Sequence, residues 1–127
     1  MTIEHIDHVQ LPFRGPLQAQ LRHFYSRLLG LPEVRLDASA TLRFAAGPQR
    51  IDLAPWASDA STADGAAAGH LALRVRNLPG VRAALLDAGA AIDETHPLPG
   101  HWRLFVSDPA GNRIELLEPA HDAGATS

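Results

Sequence analysis

The sequence predicts an α+β fold made of two βαβββ modules, and three observations lead to that prediction. The order strand, helix, three strands occurs twice along the 127 residues. Similar short segments recur at a near-constant offset, 62 residues from His8 to His70 and 63 residues from Asp52 to Glu115. Within each half, the apolar period changes between the alternation of strands and the 3.6-residue spacing of a helix.

The first module is predicted at residues 4–56. Its helix begins after Pro16, carries one apolar face and ends at Gly30, since glycine commonly terminates helices. That apolar face consists of Leu17, Leu21, Phe24, Tyr25, Leu28 and Leu29. The strands are predicted at residues 5–12, 33–37, 41–46 and 49–54.

The second module is predicted at residues 69–119. Asn77 is expected to cap a helix over 78–88, and Gly89 is expected to end it. The strands are predicted at residues 70–76, 91–94, 101–107 and 113–118. A tight turn is predicted at residues 108–112, with a positive φ at Gly111. Residues 57–68 are interpreted as a linker and residues 120–127 as a flexible tail of one single domain, 1–127.

Composition excludes several classes of site and partner. All eleven basic residues are Arg, which excludes a lysine Schiff base and a P-loop lysine, and there is no Cys for a disulfide, nucleophile or zinc ligand. The net charge of −3 argues against nucleic acid or an anionic membrane as partner. Neither a signal peptide nor a membrane span is recognised, so a soluble cytoplasmic protein is expected.

Strand alternation suggests where a metal site would lie. Ile51 and Leu53 share one face of residues 50–54, and Ile114 and Leu116 share one face of residues 113–117. Asp52 and Glu115 are therefore left on the opposite faces. His8 and His70 occupy equivalent places in the first strands of the two halves. If the halves pair about a pseudo-twofold, these four side chains converge, and two His with one or two carboxylates suit Zn, Ni, Mn, Fe or Co.

The chain resembles the vicinal oxygen chelate superfamily, the group of glyoxalases, bleomycin-resistance proteins and extradiol dioxygenases. The resemblance covers residues 4–119 and rests on IDHVQL, HFYSRLLGLPEV, GHLALRV and FVSDPAGNRIELLEP. The last segment is the most specific, because it carries the closing hairpin pattern from Asp108 to Glu115. The resemblance implies a cupped mixed sheet with helices on its outer face, a divalent metal ion in the cup and a homodimer.

The family's metal positions transfer onto this sequence one by one. His8 and His70 match the first-strand ligands of the two modules, and Glu115 matches the closing carboxylate. The fourth position falls on Asp52, where glyoxalase I-like members usually carry Glu or Gln, so this departure puts glyoxalase I activity itself in doubt. Relatives that use only two His and one Glu also exist.

A small-molecule substrate is expected at the open face. Strand alternation places Gln10 beside His8 and Arg74 beside His70. The family resemblance adds a loop region that often contacts substrate, which here contains His101, Trp102 and Arg103.

Three functions remain open from the sequence. The leading hypothesis is a metal-dependent lyase or isomerase of the glyoxalase type, in which the ion acts as a Lewis acid and Glu115 moves a proton. An Fe(II) extradiol-type dioxygenase would use His8, His70 and Glu115 as a facial triad. A metal-free protein of the bleomycin-resistance type would sequester a ligand without turnover. Whether the ligands of one site come from one chain or two is also open.

Overall fold

The computed structural model describes residues 1–56 and 69–120. The predicted linker and all but one residue of the predicted tail lie outside the described residues. The described residues form two compact units, one holding residues 1–56 with 109–111 and the other holding residues 69–108 with 112–120. No helix in these ranges is long and apolar enough to span a membrane.

The first unit contains a three-stranded sheet and one helical segment. The central strand β3 pairs in parallel with β1 and antiparallel with β2. The elements in chain order are β1 (His8–Phe13), α1 (Gln18–Arg22), a π-helical continuation (His23–Leu28), β2 (Leu42–Ala46) and β3 (Gln49–Pro55).

The helical segment of the first unit widens into a π-helix halfway along. The Leu29 N–H donates to the Phe24 carbonyl at 3.0 Å, a five-residue step in place of the usual four. Phe24 and Tyr25 are both buried, and the Tyr25 ring stacks on Phe44 of β2 with centroids 5.3 Å apart. Gly30 then adopts φ +75°, as the predicted helix end requires.

The strand predicted at 33–37 is wrong except at its first residue. Glu33 forms an isolated bridge with Phe44, and the Val34 N–H donates to the Arg43 carbonyl at 2.8 Å. Beyond that point Asp37 accepts hydrogen bonds from the backbone and hydroxyl of Ser39. This local side-chain turn competes with strand pairing and turns the chain back toward β2.

The second unit contains a four-stranded sheet in the order β4-β7-β6-β5, with β4 parallel to β7 and the other pairs antiparallel. Its elements are β4 (Leu71–Arg74), α2 (Leu78–Asp87), β5 (Ile92–Asp93), β6 (His101–Ser107) and β7 (Arg113–Pro119). The predicted order of strand, helix and three strands is therefore present here, and the α+β class is confirmed.

Helix α2 begins at a doubly capped N-terminus. Asn77 has φ +63° and ψ +52°, and its Oδ1 accepts the Gly80 N–H at 3.2 Å, which confirms the predicted cap. The Glu118 carboxylate accepts the N–H groups of Asn77 and Leu78 at 2.9 and 2.8 Å. These contacts satisfy backbone donors that a helix start leaves free, and they attach α2 to one face of β7.

The turn before β7 is closed by Asp108 and Asn112. The Asp108 carboxylate accepts the Asn112 backbone N–H at 2.8 Å and its side-chain amide at 3.0 Å. Gly111 has the predicted positive φ, +90°. This closure sets the register in which Ser107 pairs with Arg113 and Phe105 pairs with Glu115.

Candidate functional site

In the first unit the candidate residues lie on the sheet face opposite the apolar core. Gln10 is the cross-strand partner of Asp52, and His8 is the partner of Arg50. Ile51 and Leu53, which alternate with Asp52 along β3, are buried on the other face. Asp52 is nonetheless only 3% exposed, because neighbouring side chains cover it.

Two arginines hold the Asp52 carboxylate. Arg50 donates to both oxygens, from Nε to Oδ1 at 2.7 Å and from Nη2 to Oδ2 at 3.1 Å. Nε of Arg43, the cross-strand partner, lies 3.5 Å from Oδ2. The hydrogen bonds from Arg50 to Asp52 raise the pKa of the Arg50 guanidinium. The Nε2 atom of His8 lies 3.9 Å from Oδ2 of Asp52. The Asp52 carboxylate is therefore bound by arginine and not by this histidine.

His8 itself is paired with its neighbour in the chain. Its Nδ1 lies 2.8 Å from Oδ2 of Asp7, and the imidazole is 39% exposed. That contact lowers the pKa of the Asp7 carboxyl. The Nε2 edge of His8 is therefore the one that remains for a ligand.

In the second unit His70 and Glu115 form a direct pair. His70 Nε2 lies 2.8 Å from Glu115 Oε1, and Arg103 Nη1 lies 3.4 Å from Oε2. Glu115 is 7% exposed, while the His70 side chain is 40% exposed. Since β4 and β7 are adjacent and parallel, their register brings this imidazole and this carboxylate together from positions 45 residues apart.

Phe105 is the aromatic centre of this face and was not anticipated from the sequence. It is the cross-strand partner of Glu115 and is 7% exposed. The Arg113 guanidinium lies 4.1 Å from its ring centroid, a cation–π distance. Its other ring neighbours are His70 at 5.3 Å, Arg103 at 5.3 Å and His96 at 6.0 Å. Strand alternation together with the turn predicted at residues 108–112 could have placed Phe105 beside Glu115.

Arg103 is anchored from two sides. Its Nε and Nη2 donate to the His96 carbonyl at 3.0 and 2.6 Å, while its Nη1 faces Glu115. The guanidinium therefore ties the loop before β6 to the Glu115 carboxylate. This structural role was not foreseen for a residue predicted to contact substrate.

The remaining predicted substrate residues occupy different places in the second unit. Arg74 pairs with Leu117 and is exposed on the same face as Glu115. His101 contacts the Pro99 carbonyl through Nδ1 at 3.1 Å. Trp102 pairs with Glu118, so it lies on the α2 side of the sheet and not on the face that carries Glu115.

A comparison with protein families matches residues 16–117 to the glyoxalase-like domain, which is most of the chain. The chain belongs to the glyoxalase-like family. The superfamily resemblance read from the sequence is thereby confirmed. No curated protein gives a significant match.

Solved structures agree with this glyoxalase-like assignment. A glyoxalase family protein from Bacillus anthracis is 28% identical, with a TM-score of 0.81 over 94% of this chain and 98% of that one. An antibiotic-binding protein from a Streptomyces species is 24% identical, with a TM-score of 0.75 over 94% and 99%. Lactoylglutathione lyase from Agrobacterium tumefaciens is 20% identical, with a TM-score of 0.71 over 92% and 95%. The last two show similarity of fold.

The two His–carboxylate pairs differ in how well they fit a divalent ion. Ligands at about 2.1 Å from one ion lie about 3.0 Å apart on adjacent octahedral positions and about 3.4 Å apart in a tetrahedral site. The His70–Glu115 separation of 2.8 Å is close to the octahedral spacing. The His8–Asp52 separation of 3.9 Å exceeds both spacings, and both Asp52 oxygens are bound by arginine. Within residues 1–56 and 69–120 no three His, Asp or Glu side chains are grouped as a metal site. The ligand set proposed from the sequence stays a prediction.

Proposed function

We propose that this glyoxalase-like protein is a metal-dependent enzyme, a lyase or isomerase acting on a small oxygen-bearing substrate. The observation that carries the proposal is the His70–Glu115 pair, at 2.8 Å on adjacent strands, with the exposed Arg74 on the same sheet face. An imidazole nitrogen and a carboxylate oxygen are ligands that zinc and its neighbouring transition metals accept. His8 is proposed as a further ligand through its Nε2. Asp52 is not included, because Arg50 and Arg43 occupy its oxygens.

A bound divalent ion would supply Lewis-acid stabilisation of negative charge that develops on a substrate oxygen. Glu115 would accept or return a proton at a carboxylate oxygen. Arg103 holds the same carboxylate through Oε2, which keeps it oriented during that transfer. Arg74 offers an exposed guanidinium for an anionic group of the substrate. Phe105 excludes water from one side of Glu115.

Elemental analysis of protein purified without chelator tests this proposal. Near-stoichiometric divalent metal is expected, with a rise in Tm when the same metal is added to apoprotein. The metal content is expected to fall in His70→Ala, Glu115→Gln and His8→Ala. His23→Ala, which changes an exposed histidine outside both sheets, should keep it. A protein that binds no divalent metal and gains no thermal stability from any would refute the proposal.

A second candidate is a metal-free ligand-binding protein, and the binding of Asp52 by arginine favours it. Arginine on both Asp52 oxygens leaves one fewer ligand than the four-ligand site of the family. The antibiotic-binding protein from Streptomyces has the same fold, which is compatible with such a role. A thermal-shift screen of antibiotics in the presence of EDTA tests this candidate. A hit that survives both EDTA and His70→Ala would support it.

A homodimer is part of the proposal, because two-module members of this superfamily commonly pair. Sedimentation velocity at micromolar concentration tests it. A single species of twice the chain mass is expected. A monomer over the whole concentration range would contradict this part of the proposal alone.

A further inference from the structure

The second unit contains a cleft of about 430 Å³ between the first turn of α2 and the start of β6. Trp102 lines this cleft, together with Leu78 and Pro79 of α2. Trp102 is the cross-strand partner of Glu118, whose carboxylate caps α2. The cleft therefore opens on the α2 side of the sheet, while Arg103, which also lines it, reaches Glu115 on the other face.

The cleft combines an open aromatic surface with rigid apolar walls. Trp102 is 49% exposed, and Pro79 and Pro97 line the cleft with it. A volume of about 430 Å³ lies within the range of small-molecule sites, roughly 300–1,000 Å³. Proline side chains lose little conformational entropy on binding, so these walls are already organised for a ligand.

Three charged side chains line the cleft, Arg82, Glu94 and Arg103, and each faces an opposite charge. Arg103 directs its Nη1 toward the Glu115 carboxylate. Arg82 donates to both Glu94 oxygens, from Nε at 2.9 Å and from Nη2 at 3.1 Å. This pairing raises the pKa of Arg82 and lowers the pKa of Glu94. Both groups therefore stay charged across neutral pH, and this pair adds no net charge to the rim. A charged ligand would gain little from such a rim, since either charge is already matched.

We propose that this cleft binds an uncharged, planar aromatic molecule that stacks on the Trp102 indole. Stacking uses the open face of the indole, and polar substituents of the ligand bond to the outer edges of the Arg82–Glu94 pair. The cleft shares Arg103 with the proposed catalytic face, but neither His70 nor Glu115 lines it. Because the stacking surface is Trp102, occupancy should not require a metal or His70.

Calorimetric titration with 2-naphthol, 2-naphthoate and decahydro-2-naphthol tests each part of the proposal. In that order, the three probes are an uncharged aromatic molecule, a charged aromatic molecule and an uncharged non-planar molecule. We expect 2-naphthol to bind most tightly, and Trp102→Ala to weaken it about ten-fold. In a ¹⁵N NMR spectrum 2-naphthol should shift the indole N–H resonance of Trp102 and leave that of Trp56 in place.

Matched controls separate this site from the rest of the protein. Leu86→Ala removes a different exposed apolar side chain, one that lies on α2, and it should leave the affinity for 2-naphthol unchanged. His70→Ala should also leave it unchanged, and Trp102→Phe should retain part of it. Equal binding by Trp102→Ala, with circular dichroism showing an intact fold, would overturn the proposal. So would equal affinity for 2-naphthoate, or a Trp102→Ala variant that converts a wild-type dimer to a monomer.

Discussion

Asp52 accepts two hydrogen bonds from Arg50, two residues earlier in the same strand, at 2.7 and 3.1 Å. In the second unit Glu115 and Arg113 occupy the equivalent positions, but Arg113 lies over the Phe105 ring, 4.1 Å from its centroid. The two units therefore have an arginine and a carboxylate at equivalent strand positions, but only the first unit pairs them with each other.

The cross-strand partner explains this divergence. Arg43 pairs with Asp52, whereas Phe105 pairs with Glu115. A cationic partner adds to the charge around Asp52. Arg113 instead lies over the Phe105 ring and donates to Asp93 Oδ2 at 3.3 Å, so it is held away from Glu115. Glu115 thus remains close to His70 and makes one long contact with Arg103.

Asp52→Asn should destabilise the protein by about 1–3 kcal/mol, because Arg50 loses the carboxylate that accepts both of its hydrogen bonds and Arg43 is left with Asp37 as its counter-charge. The arginines are partly exposed, which limits the loss. Urea unfolding would measure it. Asp37→Asn changes an exposed carboxylate paired with Arg43 and should cost clearly less. Equal losses would show that burial of Asp52 is not the cause.

Asn77→Ala should destabilise the protein by about 1–2 kcal/mol. It removes the cap on Gly80 and forces a Cβ-bearing residue without a compensating bond into φ +63°. Asn77→Gly suits that φ and should cost about half as much or less. Thermal unfolding of both variants checks the order. A glycine variant less stable than the alanine variant would contradict the left-handed cap.

Glu118→Ala should destabilise the protein by about 1–2 kcal/mol, because the N–H groups of Asn77 and Leu78 lose their acceptor. Amide hydrogen exchange should show the loss at the first turn of α2 before other segments. Glu4→Ala, at an exposed glutamate outside both sheets, is the matched control. Unchanged protection at Leu78 would show that water replaces the carboxylate without cost.

Asp93 should titrate well below an ordinary aspartate. The Thr95 hydroxyl, its backbone N–H and Arg113 hold the pKa of Asp93 down to about 2. A depressed carboxyl pKa contributes stability above the unfolded value of 3.8, and that contribution is lost as the pH falls toward 2. Thr95→Val removes the hydroxyl and should raise the pKa of Asp93 toward 3.8. A ¹³C NMR titration of the Asp93 carboxyl measures the shift; no rise would exclude the hydroxyl as its main cause.

Much of the architecture could be predicted from local sequence. The helix over 78–88 and the strand at 101–107 match α2 and β6 closely, because a cap, an end glycine and alternation are local signals. The strand at 33–37 could not be predicted correctly. The residue pattern there is typical of a strand, but the hydrogen bonds from Ser39 to Asp37 compete with strand pairing and decide where it ends.

The repeated strand–helix order and the strand faces of Asp52 and Glu115 follow from local sequence, because alternation depends only on neighbours along the chain. The partner of each carboxylate was decided by tertiary structure. Arg43 reaches Asp52, and His70 reaches Glu115, through strands that are distant in sequence. Likewise, the place of Trp102 beside α2 depends on how β6 pairs with β7 and on where Glu118 caps the helix. Such contacts depend on strand register as well as on side-chain length, and no single segment encodes the register.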